Sequence, residues 1–211
     1  MGGESVMANK SQALWVAGGM VLAVAPQLAQ AQVAEPAVQV VEALDAALIA
    51  TMKVGGGKAA GGQAARARVI GPAVEKAFDI PLMARLSVGP PWTTFSPAEQ
   101  AGVTSAFRAM MVAQYAANFD EYSGEKIAIT GPVETRGGDK FVRTTLTGKG
   151  VSESINYRLR DNGGQWKVID VFYRNAISQL ATRRSDFATV LAKGGAQGLT
   201  SHLNRLAQNP K

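Results

Sequence analysis

The chain has 211 residues, enough for one domain, and its 46% hydrophobic and 18% charged content exclude an intrinsically disordered polymer. A net charge of +6 with no run of five Lys or Arg excludes a dedicated nucleic-acid reader and leaves weak, salt-dependent attraction to anionic lipid surfaces. With no cysteine, disulfide frameworks, zinc–thiolate clusters, thiol nucleophiles and a lipid-anchored N-terminal cysteine are all excluded.

Lys10 precedes an apolar stretch over 13–25, followed by Pro26 and Ala29-Gln30-Ala31. That is the layout of a secretory signal with an A-x-A cleavage site. The stretch is short of the roughly 20 residues a spanning helix needs. We expect residues 1–31 to be removed, leaving a mature periplasmic domain over 32–211 that begins at Gln32. Glu4 before the basic residue is unusual for a signal, so Met7 is an alternative start; an uncleaved anchor is the alternative to removal.

In the mature chain, Val38, Val41, Leu44, Leu48 and Ile49 recur at helical spacing and predict a helix over 35–52. Gly55-Gly56-Gly57 ends it, and the following Lys58-Ala59 lacks the ending of a phosphate loop. A second helix is expected over 64–78, kinked or split at Pro72, and a short one over 79–86. Gly89-Pro90-Pro91 is a rigid break before Trp92. Ser96-Pro97-Ala98-Glu99 is a capping box with proline at the first helical position, which predicts a long helix to about Tyr122. Val103, Phe107, Met111, Tyr115 and Phe119 lie at i+4 spacing along it, with Met110 beside them. Asp120 and Glu121 end it and are expected to face solvent.

Four strands follow, over 126–130 (with a possible extension to Glu134), 140–147, 151–160 and Gln165–Tyr173, joined by Gly-bearing turns. Ile155, Tyr157 and Leu159 share one face of the third; Asn156, Arg158 and Arg160 share the other. Helices over 176–192 and 197–207, broken at Gly194-Gly195, close the chain. The expectation is an α+β fold: an antiparallel four-stranded meander packed against several helices, with an apolar pocket between sheet and helices.

Little in the residues suggests catalysis. His202 is the single histidine and lies beside the Leu199, Leu203 and Leu206 seam, as a partly exposed surface residue would. A Ser-His-Asp device would rest on it alone, and no H-E-x-x-H, G-x-S-x-G or D-x-D motif occurs. The methionine and aromatic stripe of the long helix reads either as core packing or as the wall of a cavity for irregular apolar ligands. Arg184 falls among Ile177, Leu180, Ala181, Ala188 and Leu191 at helical spacing, so it is expected to be buried, with Arg183 about 100° away and more exposed. A buried charge needs a partner: Asp170, or a polar group of a ligand at a pocket mouth.

Taken together, several of these pieces resemble the MlaC-type, or toluene-tolerance, family of periplasmic lipid carriers. They are Trp92, Phe95-Ser96-Pro97-Ala98-Glu99-Gln100, Phe107, Tyr115, Tyr122-Ser123-Gly124, Tyr157-Arg158-Leu159, Trp166-Lys167-Val168-Ile169-Asp170-Val171, Phe187, Gly195 and Leu199. In order and spacing they cover nearly all of residues 35–207. The run Ile177-Ser178-Gln179-Leu180-Ala181-Thr182-Arg183-Arg184-Ser185-Asp186-Phe187 is most similar to the hopanoid-associated, HpnM-type branch. Asn175 stands where a glycine is common in both branches.

The resemblance implies a lipid-binding pocket and shuttling of lipid between inner and outer membranes, with no cofactor, metal or catalytic residue. On it, Phe107, Met110, Met111, Tyr115, Phe119, Ile155, Tyr157, Leu159 and Arg184 become the lipid-binding set. The implied partners are an RND-type inner-membrane transporter for a hopanoid or an Mla-type ABC system for a phospholipid, with transient membrane-surface contact. A lipid-modifying enzyme and a structural adaptor to a transporter are the readings from other classes. Energetically, on the order of 500 Å² of buried apolar lipid surface at ~25 cal/mol/Å² gives roughly 12 kcal/mol, against association costs of several kcal/mol.

Overall fold

The computed structural model describes residues 35–54, 60–174 and 177–210. The signal segment with its Ala31 site, the Gly55-Gly56-Gly57 loop and Asn175 lie outside the described residues.

Helix α1 (Pro36–Met52) buries Val41, Leu44 and Leu48, as its periodicity predicts, and also Asp45. Helix α2 (Ala60–Ala77) starts before the expected residue 64 and runs through Pro72 without splitting. Asp79 caps α3 (Ile80–Val88) by accepting the Leu82 N–H at 3.0 Å. The Asp79 N–H in turn donates to the Val168 carbonyl at 2.9 Å, pinning the α2–α3 joint to the sheet. A 3₁₀ turn, Pro90–Thr94, leads into α4 (Pro97–Asn118). The capping box forms as predicted: the Ser96 hydroxyl accepts the Glu99 N–H at 3.3 Å and the Glu99 carboxylate accepts the Ser96 N–H at 2.8 Å.

Helix α4 stops about a turn short of Tyr122. Phe119 leaves helical geometry at φ −111°, ψ 65° and stacks its buried ring on Tyr115 at 6.0 Å. The buried Arg66 of α2 donates Nε–H to the Ala116 carbonyl at 2.6 Å, satisfying one of the carbonyls a helix end leaves unpaired. Asp120 is half-buried rather than solvent-facing, whereas Glu121 is exposed.

The sheet is antiparallel and has six strands where four were expected: β1 (Lys126–Ile129), β2 (Glu134–Arg136), β3 (Asp139–Gly148), β4 (Val151–Asn162), β5 (Gln165–Tyr173) and β6 (Ile177–Ser178). Its order is β1-β3-β4-β5-β6, with β2 also pairing with β3. Strands β1 and β2 are one edge strand interrupted at Gly131-Pro132, where φ at Gly131 is +79° and proline has no N–H to donate. The register of β4 on β5 shifts between Arg158 and Leu159, leaving Ile169 as an extra residue.

Helix α5 (Gln179–Gln208) packs after the sheet and breaks at Gly195, where φ is +54° and ψ −148°. That is the break expected at Gly194-Gly195. The core lies between the helices and one sheet face, with Val142, Ile155, Tyr157, Leu159, Val168 and Val171 on the sheet side. The other face carries ion pairs, among them Arg158 and Arg160 on the buried Asp139.

Candidate functional site

Beneath the sheet the apolar core is interrupted by polar groups. The Tyr157 hydroxyl donates to Asp45 Oδ1 at 3.0 Å. Burial, with a smaller push from Glu42, drives the Asp45 carboxyl up to about 7, against the lowering effect of the Tyr157 hydrogen bond. Burial likewise raises the phenols of Tyr157, Tyr115 and Tyr173. Sequence patterning missed Asp45. A single acid on an otherwise apolar helix face was the available signal.

Next to these groups is a small, partly open cavity of about 160 Å³ among α3, α4, β5 and α5. Its apolar wall is Phe78, Met83, Met111 and Val171; its polar wall is Gln114, Tyr115, Asn118, Tyr173, Gln179 and Arg183. Of the nine residues expected to bind lipid, only Met111 and Tyr115 reach this cavity. Phe107, Met110, Phe119, Ile155, Tyr157 and Leu159 are buried in the surrounding core.

Arg184 is displaced from its expected place. It is exposed, and its guanidinium packs over Gly89, where an added Cβ would come within 3.1 Å of Nη2. Arg183 turns inward instead. Its Nη2 donates to Gln114 Oε1 at 2.5 Å, Nη1 approaches Met110 Sδ at 3.3 Å, and the guanidinium lies 6.0 Å from the Phe107 ring centroid. Desolvation lowers its pKa from the usual arginine value.

The register assumption explains the error. Ile177, which the sequence predicts inside the helix, belongs to β6 and is exposed. With α5 starting at Gln179, its inward row is Leu180, Arg183, Phe187 and Val190. Asp170 does not pair with Arg184. Its carboxylate accepts the Ser178 hydroxyl at 2.6 Å and the Leu180 N–H at 3.0 Å, tying β5 to the first turn of α5. His202 is half-buried, with its ring edge-on to Phe187 at 6.4 Å.

A second, more open groove of about 680 Å³ lies between α1, α2 and the β4–β5 turn. Val40, Ala43, Leu44, Pro72, Ala73 and Trp166 give it an apolar lining, and Lys76 and Lys167 stand at its edge. No residue of the expected lipid-binding set lines it.

The family model for the MlaC protein matches residues 42–205, from within α1 to the last turn of α5. The chain belongs to the MlaC family. No curated protein matches this MlaC-family chain. Among solved structures it is similar to a phospholipid-binding protein from Ralstonia solanacearum, determined in complex with a phospholipid. The TM-score is 0.71 at 21% identity, covering 83% of this chain and 98% of that one. The shared feature is therefore the fold: a mixed helix and antiparallel-sheet domain over nearly the whole of the solved chain.

Proposed function

We propose that this MlaC-family chain is a periplasmic lipid-binding carrier that moves membrane lipid between inner and outer membranes without covalent chemistry. The observation that carries the reading is family membership over residues 42–205. Support comes from the fold shared with a protein solved around a phospholipid and from a small cavity with one apolar and one polar wall. The cavity of about 160 Å³ is smaller than the ~300–1,000 Å³ of ordinary ligand pockets, so taking up an acyl chain requires its walls to separate. Met83 and Met111 suit that role, since unbranched thioethers repack at low cost.

Two lipid classes divide the proposal. A phospholipid, delivered or collected by an ABC-type system, follows the solved relative. A hopanoid, handled by an RND-type transporter, is favoured by the run from Ile177 to Phe187 and rests on that run alone. The test is organic extraction of the protein purified from the periplasm, with mass spectrometry of the extract. A membrane lipid in amounts comparable to the protein is expected, and its class chooses between the two. Protein that purifies lipid-free and takes up none from vesicles would overturn the carrier reading. Catalytic turnover of the bound lipid would replace it with a lipid-modifying enzyme. N-terminal sequencing of the same material should begin at Gln32; an intact apolar segment in the membrane fraction would contradict export.

A further inference from the structure

The inward row of α1 is Val41, Leu44, Leu48 and Met52, and Asp45 stands in it at 7% exposure. Its carboxyl accepts one hydrogen bond, from the Tyr157 hydroxyl, and among the described residues no cation pairs with it. The charges of the neighbouring elements are engaged elsewhere. From α2, Arg66 donates to the Ala116 carbonyl, Glu75 pairs with Arg108, and Arg68 and Lys76 are exposed. From the sheet, Lys140 pairs with Glu35, Arg143 with Glu134, and Arg158 and Arg160 with Asp139. Lys126 is exposed, Lys167 reaches the Lys76 carbonyl, and Asp170 holds Ser178. At the C-terminal end of α1, Lys53 lies over the Tyr122 ring. What acts on Asp45 is Glu42, which repels, and the Tyr157 phenol; its own charge reaches Tyr115. An ionised Asp45 in the closed fold is therefore a buried charge without a counter-charge, which is costly.

The contact also borders the lipid site. Tyr157 pairs across the sheet with Val171, which lines the small cavity together with Tyr115 and Tyr173. The Asp45–Tyr157 contact thus stands behind the cavity wall, where α1 closes the core over the sheet. At about 160 Å³ the cavity admits a lipid only when the layers around it part. An acyl chain packed beside Tyr157 keeps water from Asp45 and favours the neutral acid. A carboxylate there demands water, and α1 must yield to admit it. By linkage, lipid retention and proton binding at Asp45 reinforce each other.

We infer that Asp45 is a proton-controlled latch: protonated, it lets α1 close on β4 over the lipid, and ionised, it loosens α1 and speeds lipid release. The inference rests on the carrier reading and adds a regulation to it. Burial holds the carboxyl at about 7, so the proton is lost, and release quickens, as pH rises through neutrality.

The test loads purified protein at pH 6 with deuterated dioleoylphosphatidylcholine, whose headgroup does not titrate near neutrality. Transfer to unlabelled acceptor vesicles is then followed by mass spectrometry from pH 5 to pH 9. If the ionised form releases the lipid, its fraction grows from about one tenth at pH 6 to about nine tenths at pH 8, and the rate rises about ninefold. Asp45→Asn keeps an acceptor for Tyr157 but cannot ionise, so its release at pH 8 should stay at the slow rate of wild type at pH 6. Tyr157→Phe removes the hydrogen bond that lowers the Asp45 pKa, so the step should persist and move to higher pH. It carries the test if Asp45→Asn does not fold, and a profile that it leaves in place would overturn the assignment to Asp45. A flat wild-type profile would overturn the latch, and so would a rise that Asp45→Asn retains. Lipid-free protein gives a readout independent of the carrier reading: at pH 8, amide exchange along α1 should be faster in wild type than in Asp45→Asn. Equal exchange in the two proteins would overturn the latch and leave the carrier standing. Wild type that takes up no lipid at any pH would overturn the carrier reading itself.

Discussion

Asp45 occupies a core position of α1, with the Tyr157 hydroxyl on its carboxyl at 3.0 Å. An aspartate so placed folds more readily as the neutral acid. Its pKa is about 7 in the folded chain, against an ordinary value of 3.8. Below pH 3.8 both folded and unfolded chains hold the proton, and the contribution is fully present. Between 3.8 and about 7 the unfolded chain has released the proton while the folded chain keeps it, so stability falls as pH rises, by at most about 1.4 kcal/mol per pH unit. Above 7 the loss is complete. Asp45→Asn keeps an acceptor for Tyr157 and removes the titration. It should raise stability at pH 8 by about 1–3 kcal/mol and leave it nearly unchanged at pH 4, measured by urea denaturation of both proteins at each pH. A variant less stable than wild type at pH 8 would mean that the carboxylate is ionised and satisfied in the fold.

At the scale of elements, the joint between β5 and α5 decides which side chain faces the cavity. Asp170 holds the first turn of α5 through Ser178 and the Leu180 N–H, and the Ser178 hydroxyl accepts the Ala181 N–H at 3.0 Å. Removing the carboxylate leaves helix donors unpaired beside a buried strand. Asp170→Ala should therefore cost about 2–3 kcal/mol in chemical denaturation. It should also loosen the α5 start, seen as faster amide exchange at Leu180 and Ala181. Unchanged exchange there would show that packing of Leu180 and Phe187 alone fixes the helix. This joint also marks where the sequence stopped being informative. The capping box of α4, the alternation along β4 and the break at Gly195 are local signals and appear in the structure where the residues put them. The start of α5 depends on a side chain eight residues upstream on another strand. A helix that included Ile177 would turn its buried face toward Arg184; the helix that starts at Gln179 turns Arg183 inward instead. The end of α4 was hidden for a similar reason, because Arg66, 50 residues away, takes up the Ala116 carbonyl. Asp45 is invisible to periodicity, which scores apolar residues and is blind to an acid among them.

For the whole molecule the question is which space receives the lipid; the described residues form several, one of them lined by Arg184, and two contrast most in size and lining. The cavity among α3, α4, β5 and α5 is small, at about 160 Å³, but it touches the Met111 and Tyr115 stripe and the inward Arg183. The groove between α1 and α2 is larger, at about 680 Å³, but it is more open, and its polar lining is Gln39, Lys76, Gln165 and Lys167. Burial favours the smaller space only if its walls part and close over the chain, because an acyl chain gains free energy in proportion to the apolar area removed from water. Entry must then part the layers that meet at Met83, Met111 and Val171. Filling each space separately distinguishes them. Met111→Trp adds bulk to the smaller cavity, and Ala73→Trp adds it to the groove. Overpacking typically costs about 1–3 kcal/mol, so each variant should remain folded with a lowered melting temperature. Assignment to the smaller cavity predicts that Met111→Trp retains much less lipid after vesicle exposure, while Ala73→Trp retains as much as wild type. The reverse result would place the lipid in the groove and leave the α4 stripe as core. Unfolding of Met111→Trp together with normal retention by Ala73→Trp would show that the walls at Met111 are too closely packed to part, and that the lipid enters elsewhere between sheet and helices.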